Sequence, residues 1–374
     1  MTQPERTGQQ IPEPGAAGEA RRRAEGPFGE ANRAQLLEHY FAGADEVTPA
    51  IAWQHAYRLL LWIDRSIGLA HCYESDKCQP GRPWYARSLA FHGWLAGALG
   101  TSPAGLAKEV DLLFRWVTKD LAARAAGRRA ALAPEAVRQR QAYAGQGFPE
   151  PGEDPELEAI ITEALGPWLR ERPSAEELRQ LAERIHAHVG LENKRKNLLG
   201  EGFEDTIAAI LRHIPSIDAA YSIHMRPRLH TLPGFYPPRE REPPPEVDLA
   251  LVRRANGGRT LVTCKWSVRS DRERQFGADF LTYTGKDQAD GFDYVLVTNE
   301  FDPARLAAAC VNRRENALIF SDVVHVNLDG PLAAYSSPAG AGGERGGIAR
   351  VRAHAASGRL TSLSTWLSNL ADGP

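Results

Sequence analysis

Asp248 and Lys265 stand in two apolar segments, 246–254 and 259–266, with Asn256-Gly257 between them. Asn-Gly between alternating apolar runs is the strongest short-range signal for a two-residue hairpin turn. Closing that turn with Ala255 opposite Gly258 predicts Asp248 directly across from Lys265. Opposed residues on antiparallel strands project from one face, with Cβ atoms about 5 Å apart. A carboxylate and an ammonium side by side can hold a divalent cation and orient a water against a phosphodiester. Just beyond Lys265 comes Arg269-Ser270-Asp271-Arg272, which sets two guanidinium forks around one carboxylate. Arginine suits guanine O6 and N7, and a carboxylate accepts from cytosine N4, in a DNA major groove. The chemistry implied is metal-dependent hydrolysis of DNA at a chosen sequence.

Charged residues in short strands usually face solvent, so neither Asp248 nor Lys265 means much alone. Both of their strands are otherwise apolar, however, and buried Asp and Lys are rarely tolerated unless paired or bound to metal. A purely structural ion pair is the competing reading. Asp271 would serve as an ordinary helix cap. Two arginines in a first helical turn nevertheless oppose the helix dipole, a local conflict of the kind that marks functional sites. Asp279 follows Arg272 by seven residues, two helical turns on the same face. Glu204 flanks an apolar stripe of Phe203, Ile207, Ile210, Leu211 and Ile214, so its carboxylate can turn toward a sheet edge.

The elements that must position these residues alternate from about residue 191. A helix is predicted over Gly202–Ile214, then a strand over Ala219–Met225, a proline-rich segment over 227–245, and the two hairpin strands. A helix over 271–284, a strand over Tyr294–Thr298, a helix capped by Asp302 and a strand over Ala317–Leu328 follow. Ser336–Gly347 reads as a flexible loop and 359–371 as a short closing helix. The fold class expected is α/β (α+β), a mixed central sheet flanked by helices with an added N-terminal helical region. Residues 1–30 are polar and rich in Pro and Gly, and are expected to be a disordered tail. Residues 31–190 read as helical, over 48–70, 84–99, 102–128, 155–171 and 174–189, with Ser174 and Glu177 as a capping box. Such a region would contact flanking DNA or mediate assembly. Residues 191–374 are the expected catalytic domain.

Composition sets bounds on partners and compartment. The net charge of −2 does not advertise nucleic-acid binding, so that argument must be local. Between Arg253 and Arg274 there are seven Arg or Lys against two acids, a density suited to phosphate contacts. Cysteines at 72, 78, 264 and 310 are too few and scattered for a disulfide framework, and His71 with Cys72 and Cys78 lacks the second ligand pair of a zinc site. Buried reduced thiols are expected. No apolar run approaches a membrane span, and the polar start lacks a secretory core, so no membrane partner and a cytoplasmic location are expected. Lys194-Arg195-Lys196 reads as a solvated or phosphate-facing triplet, and the Gly81–Arg87 stretch either touches flanking DNA or, the favoured reading, packs Trp84 and Tyr85 into the core.

Taken together, Pro245-Glu246-Val247-Asp248 and Thr263-Cys264-Lys265 resemble the two halves of the PD-(D/E)xK nuclease motif. Within that superfamily the chain resembles the CCGG-recognising type II restriction endonucleases over roughly residues 195–300. Thr263 departs from the usual Asp or Glu, but the CCGG group carries Ser or Thr there and takes its second carboxylate from the following helix, where Asp279 stands. The same group reads CC and GG steps with an Arg-x-(Asp/Glu)-Arg motif, matched by Arg269, Asp271 and Arg272. The resemblance implies a catalytic set of Asp248, Lys265, Asp279, Glu204 and Thr263, with Mg²⁺ held by Asp248, Asp279 and Glu204. It also implies a double-stranded palindromic substrate, a homodimer or homotetramer, and a prokaryotic host. A cognate DNA methyltransferase would share the recognition site without needing to bind this chain. The alternatives carried forward are a structure-specific repair or recombination nuclease and a catalytically silent DNA-binding protein.

Overall fold

The computed structural model describes residues 30–61, 83–102, 155–168, 173–336 and 345–373, apart from single positions such as 45, 241, 269 and 290. The expected tail, most of the 102–128 helix, Cys72 and Cys78, and the side chains of Trp84, Tyr85 and Lys194–Lys196 lie outside the described set. The helices that open the fold are α1 (Glu30–Ala42), α2 (Ala52–Leu61), α3 (Pro83–Ala98) and α4 (Pro155–Leu165). Helix α5 (Ala175–His213) follows, opened by the predicted capping box: Glu177 N donates to Ser174 Oγ, and Ser174 N donates back to Glu177 Oε2.

Two separate helices were expected on either side of residues 190–201, yet α5 runs through them for 39 residues. Gly190, Gly200 and Gly202 all lie within it. Each costs only about 1 kcal/mol against alanine inside a helix, and the long residues between them favour the helical state. The expected boundary near residue 190 therefore falls inside a continuous helix.

A short helix, α6 (Pro215–Ala220), leads into a six-stranded mixed sheet. Its strands are β1 (Tyr221–Met225), β2 (Leu249–Arg253), β3 (Arg259–Lys265), β4 (Asp293–Thr298), β7 (Asp322–His325) and β8 (Leu360–Ser362), in that spatial order. The first three form an antiparallel meander, and β3, β4, β7 and β8 are parallel. Helix α7 (Ser270–Lys286) crosses from β3 to β4, and α8 (Pro303–Val311) follows β4 with Asp302 as its cap. The chain closes through α9 (Asp329–Ser336), α10 (Arg345–Ala356) and α11 (Leu363–Asp372).

Alternation along the strands divides the core into two layers. Leu249, Leu251, Val262, Cys264, Val295 and Val297 face Phe203, Ile207 and Ile210 of α5, together with Tyr57 of α2 and Phe91 of α3. Ala250, Leu261, Tyr294 and Leu296 face Phe276 and Tyr283 of α7 and Leu306 of α8. A mixed α/β fold with helices on both faces of the sheet is thus observed.

Three local expectations are corrected. Ala317–Leu328 is not one strand. Ala317–Leu318 (β6) pairs with Arg313–Arg314 (β5) across Glu315 and Asn316, both at positive φ (48° and 71°), the geometry of a two-residue hairpin turn. The chain then re-enters the main sheet at β7. Helix α10 begins inside the segment read as a loop, and the expected closing helix starts as strand β8 before turning helical. Cys264 and Cys310 are buried free thiols. No helix among the described residues is long and apolar enough to cross a membrane.

Candidate active site

The β2–β3 connection decides which residues meet. Arg253 N donates to Gly258 O at 2.8 Å, and Gly257 N donates to Arg253 O at 2.9 Å. Gly258 N donates to the Asn256 side-chain oxygen at 2.9 Å, and Gly257 sits at φ +73°. The turn is therefore the longer loop 254–257 rather than the two-residue turn centred on Asn256-Gly257. The ladder pairs Leu249 with Val262, and one step further sets Asp248 opposite Thr263. The expected pairing of Asp248 with Lys265 is displaced by two residues. Side chains alternate with a period of two, so the displacement preserves the face. Asp248, Thr263 and Lys265 all project toward α7.

One oxygen of Asp248 gathers the cluster. Its Oδ2 accepts from Thr263 Oγ1 at 2.8 Å, Cys264 N at 2.9 Å and Lys265 Nζ at 2.6 Å. These three bonds leave Oδ1 clear. Thr263 is thus a donor that orients Asp248, a role an Asp or Glu could not fill at that position when ionised. Glu204 comes from α5 on the other side of the sheet, with Oε1 3.9 Å from Lys265 Nζ. Burial, and next the neighbouring Asp248 charge, push the Glu204 carboxyl up to about 7, against the opposite pull of Lys265 and Arg226.

Asp279 lies on the stripe of α7 that carries Phe276 and Tyr283 onto the sheet, and is partly exposed. Burial first, and then the charges of Asp279 and Asp248, raise the Tyr283 phenol far above its ordinary range. The same two carboxylates also act on the Tyr294 phenol. Asp248 and Asp279 therefore both lie within electrostatic reach of one pair of buried tyrosines, Tyr283 and Tyr294, whose rings meet edge to face at 5.5 Å.

The chemistry of this donor set fits a small hard cation. Mg²⁺ characteristically takes one or two carboxylates and fills its octahedron with water and phosphate oxygens. Asp248 and Glu204 supply two such carboxylates around Lys265, and a dication would offset both the burial and the Asp248 charge that raise the Glu204 carboxyl. Among the described residues no three His, Cys, Asp or Glu side chains already form a closed metal-holding group. The fit therefore concerns the Asp248–Glu204 pair, with Asp279 beside it.

The segment between Lys265 and α7 is tied down by residues that sequence reasoning passed over. Glu300, fully buried past the end of β4, accepts from Val268 N through Oε2 at 2.6 Å and from Asp302 N through Oε1 at 2.7 Å. Asn299 N donates to Trp266 O at 3.2 Å. Beyond this clamp, Asp271 and Arg272 occupy the first turn of α7. Their side chains, and Arg269 altogether, lie outside the described residues, so the base-reading expectation has no side-chain geometry to meet.

An ion-pair chain was also missed. Arg226, at the end of β1, donates through Nη1 to Glu204 Oε2 at 3.0 Å and through Nη2 to Asp205 Oδ1 at 2.6 Å. Arg33 of α1 bonds the other Asp205 oxygen and reaches Glu201 Oε2 at 2.8 Å. The only sequence signal was Glu204-Asp205 itself, two acids inside an otherwise apolar helical segment. The chain matches no protein-family model and no curated protein.

Proposed function

We propose that this protein is a Mg²⁺-dependent type II restriction endonuclease with a PD-(D/E)xK core, cutting double-stranded DNA at a palindromic site built on CC and GG half-sites. The observation that carries the reading is the convergence of Asp248, Thr263, Lys265 and Glu204 at one end of the β2–β3 pair, with Asp279 alongside. Glu204 and Asp248 would hold the cation, and Asp279 would complete the acidic rim. Bound Mg²⁺ supplies Lewis acidity toward a phosphate oxygen and lowers the pKa of an attacking water. Lys265, fixed by Asp248, presents its ammonium to the attacked phosphate and stabilises the charge that builds there. Water adds to phosphorus in line and the 3′ oxygen departs, leaving a 5′ phosphate and a 3′ hydroxyl. Asp271 and Arg272 in the first turn of α7, with Arg269 before them, would read the base edges. Cutting both strands of a palindrome calls for a two-fold assembly, a homodimer or a pair of dimers.

Incubating the purified protein with a GC-rich plasmid and Mg²⁺ tests the reading. Discrete fragments are expected, and Lys265→Ala should abolish them while leaving DNA binding largely intact. Undiminished cutting by Lys265→Ala would remove the active-site assignment. The rival reading of a silent DNA-binding protein draws on Thr263 in place of an acid. It predicts a gel shift with no cutting by the wild-type protein.

A further inference from the structure

Arg226 has a backbone conformation its side chain does not favour. Its φ of 43° lies in the left-handed region, where only Gly, and less readily Asn or Asp, are at home. Such outliers persist when their surroundings over-determine them, and they cluster where function requires them. Here the surroundings are specific. Arg226 N donates to Asp248 O at 3.0 Å, so the strained residue is pinned to the backbone of the site's principal carboxylate. Its guanidinium spans two adjacent acids of α5, taking Glu204 Oε2 at 3.0 Å and Asp205 Oδ1 at 2.6 Å.

Neighbouring residues on a helix point about 100° apart. Bridging them takes a planar fork, which arginine has and lysine lacks. The far oxygen of Asp205 is held by Arg33, 8% exposed at its side chain, which brings α1 into the chain. Positive and negative groups thus alternate through Arg33, Asp205, Arg226, Glu204, Lys265 and Asp248. In this series each Glu204 oxygen has its own assignment, Oε2 to Arg226 and Oε1 toward Lys265.

We infer that Arg226 is the positioning residue of the cation site, holding Glu204 by Oε2 so that Oε1 stays toward Lys265 and the Asp248 paired with it, and that Arg33 makes the N-terminal helix part of that support. The inference rests on the nuclease reading for its purpose. A merely structural ion pair would need only Asp205, which is the better buried of the two acids and already anchors the guanidinium at the shorter distance. The second arm on Glu204 adds a constraint on the one carboxylate that faces Lys265. Partners that orient a ligand in this way typically govern metal affinity by 10–100-fold.

The test is Mn²⁺ binding to the full-length, DNA-free protein, followed by calorimetry or electron paramagnetic resonance. Arg226→Gly suits the left-handed backbone and removes the fork, while Arg226→Lys keeps the charge without bridging. Both should weaken Mn²⁺ by about 10–100-fold, and Arg33→Met should weaken it less. In cleavage, the Mg²⁺ concentration for half-maximal rate should rise in parallel, while the rate at saturating Mg²⁺ changes much less. A folded Arg226→Gly that binds Mn²⁺ like wild type overturns the inference. If that variant does not fold, Asp205→Asn keeps the volume and loosens the same chain; unchanged Mn²⁺ affinity there also overturns it. Wild-type protein that neither binds Mn²⁺ nor cuts DNA defeats the nuclease reading and this inference with it. Wild-type protein that does both, beside unaffected variants, defeats the inference alone.

Discussion

Glu204 is the residue at which burial and charge meet most closely. Its carboxyl is pushed up to about 7 from the ordinary 4.5 of a glutamate, by burial first and the Asp248 charge second. A carboxyl raised on folding binds its proton more tightly in the folded state than in the unfolded chain. Its stabilising contribution is therefore complete below about 4.5 and lost as pH rises through about 7. Without divalent cation, unfolding midpoints should fall over that window, and Glu204→Gln should flatten the slope. A cation that ligates this carboxylate must displace the proton. Calorimetry in buffers of different ionisation enthalpy should accordingly show close to one proton released per Mg²⁺ near pH 6, vanishing well above pH 7. Release that does not depend on pH would place the cation elsewhere. Asp248, Lys265 and Glu204 were legible in the sequence because each is a charge in an apolar run. Arg226 and Arg33 were not, because an ion pair between distant segments leaves no local pattern.

At the scale of elements, the β2–β3 pair was legible in kind and face but not in register. Asn256-Gly257 does turn the chain, but Asn256 caps Gly258 and the left-handed Gly257 closes a longer loop. Loop length is set by such side-chain bonds, which composition alone does not weigh. The β5–β6 hairpin was hidden for the opposite reason: Glu315 and Asn316 turn without glycine, so nothing before the strand expected within Ala317–Leu328 announced a separate turn. A buried cation at the start of β3 helps hold the proline-rich segment beside the site, together with the Lys286–Glu242 ion pair and the Tyr236–Lys286 backbone bond. The Arg259 guanidinium donates to the carbonyls of Pro233, Gly234, Ala289 and Gly291, pairs with Asp287 at 2.7 Å, and stacks 4.6 Å above the Phe235 ring. Gly234 is required there, since a Cβ would come within 2.8 Å of that guanidinium. Arg259→Met should remove the guanidinium that ties the Pro233, Gly234, Ala289 and Gly291 carbonyls and Asp287 together, and cost about 1–3 kcal/mol. It should lower the denaturant midpoint at unchanged slope. Arg259→Lys should recover little, because an ammonium cannot reach both loops. A midpoint unchanged in Arg259→Met would show that the loops hold without it.

For the whole molecule, the question is whether the helices before α5 form an accessory layer or part of the same core. The contacts run directly to the site. Phe91 of α3 meets Phe301 edge to face at 4.2 Å, and Tyr57 of α2 donates to Asn299 Oδ1 at 2.7 Å. Tyr57 also packs 6.5 Å from Trp266, the residue after Lys265. Gly330 of α9 lies so close to α3 that a Cβ would stand 2.9 Å from the Phe91 ring. Fully buried aromatic side chains of this kind cover about 150–250 Å² each. At about 25 cal/mol per Å², Tyr57 and Phe91 together are worth roughly 8–12 kcal/mol as an upper bound. That is comparable to the entire net stability of a domain, about 5–15 kcal/mol. A fragment spanning 173–374 keeps the sheet, α5 and every proposed catalytic residue, yet uncovers the layer around Trp266 and Phe301. It should be insoluble, or bind a hydrophobic dye and unfold without a cooperative calorimetric peak. A fragment that melted cooperatively and still bound DNA would show instead that the N-terminal helices are a separable module. The packing of Tyr57 against Trp266 and of Phe91 against Phe301 argues that the end of β3 carrying Lys265 is braced from the N-terminal helices as well as by its own sheet.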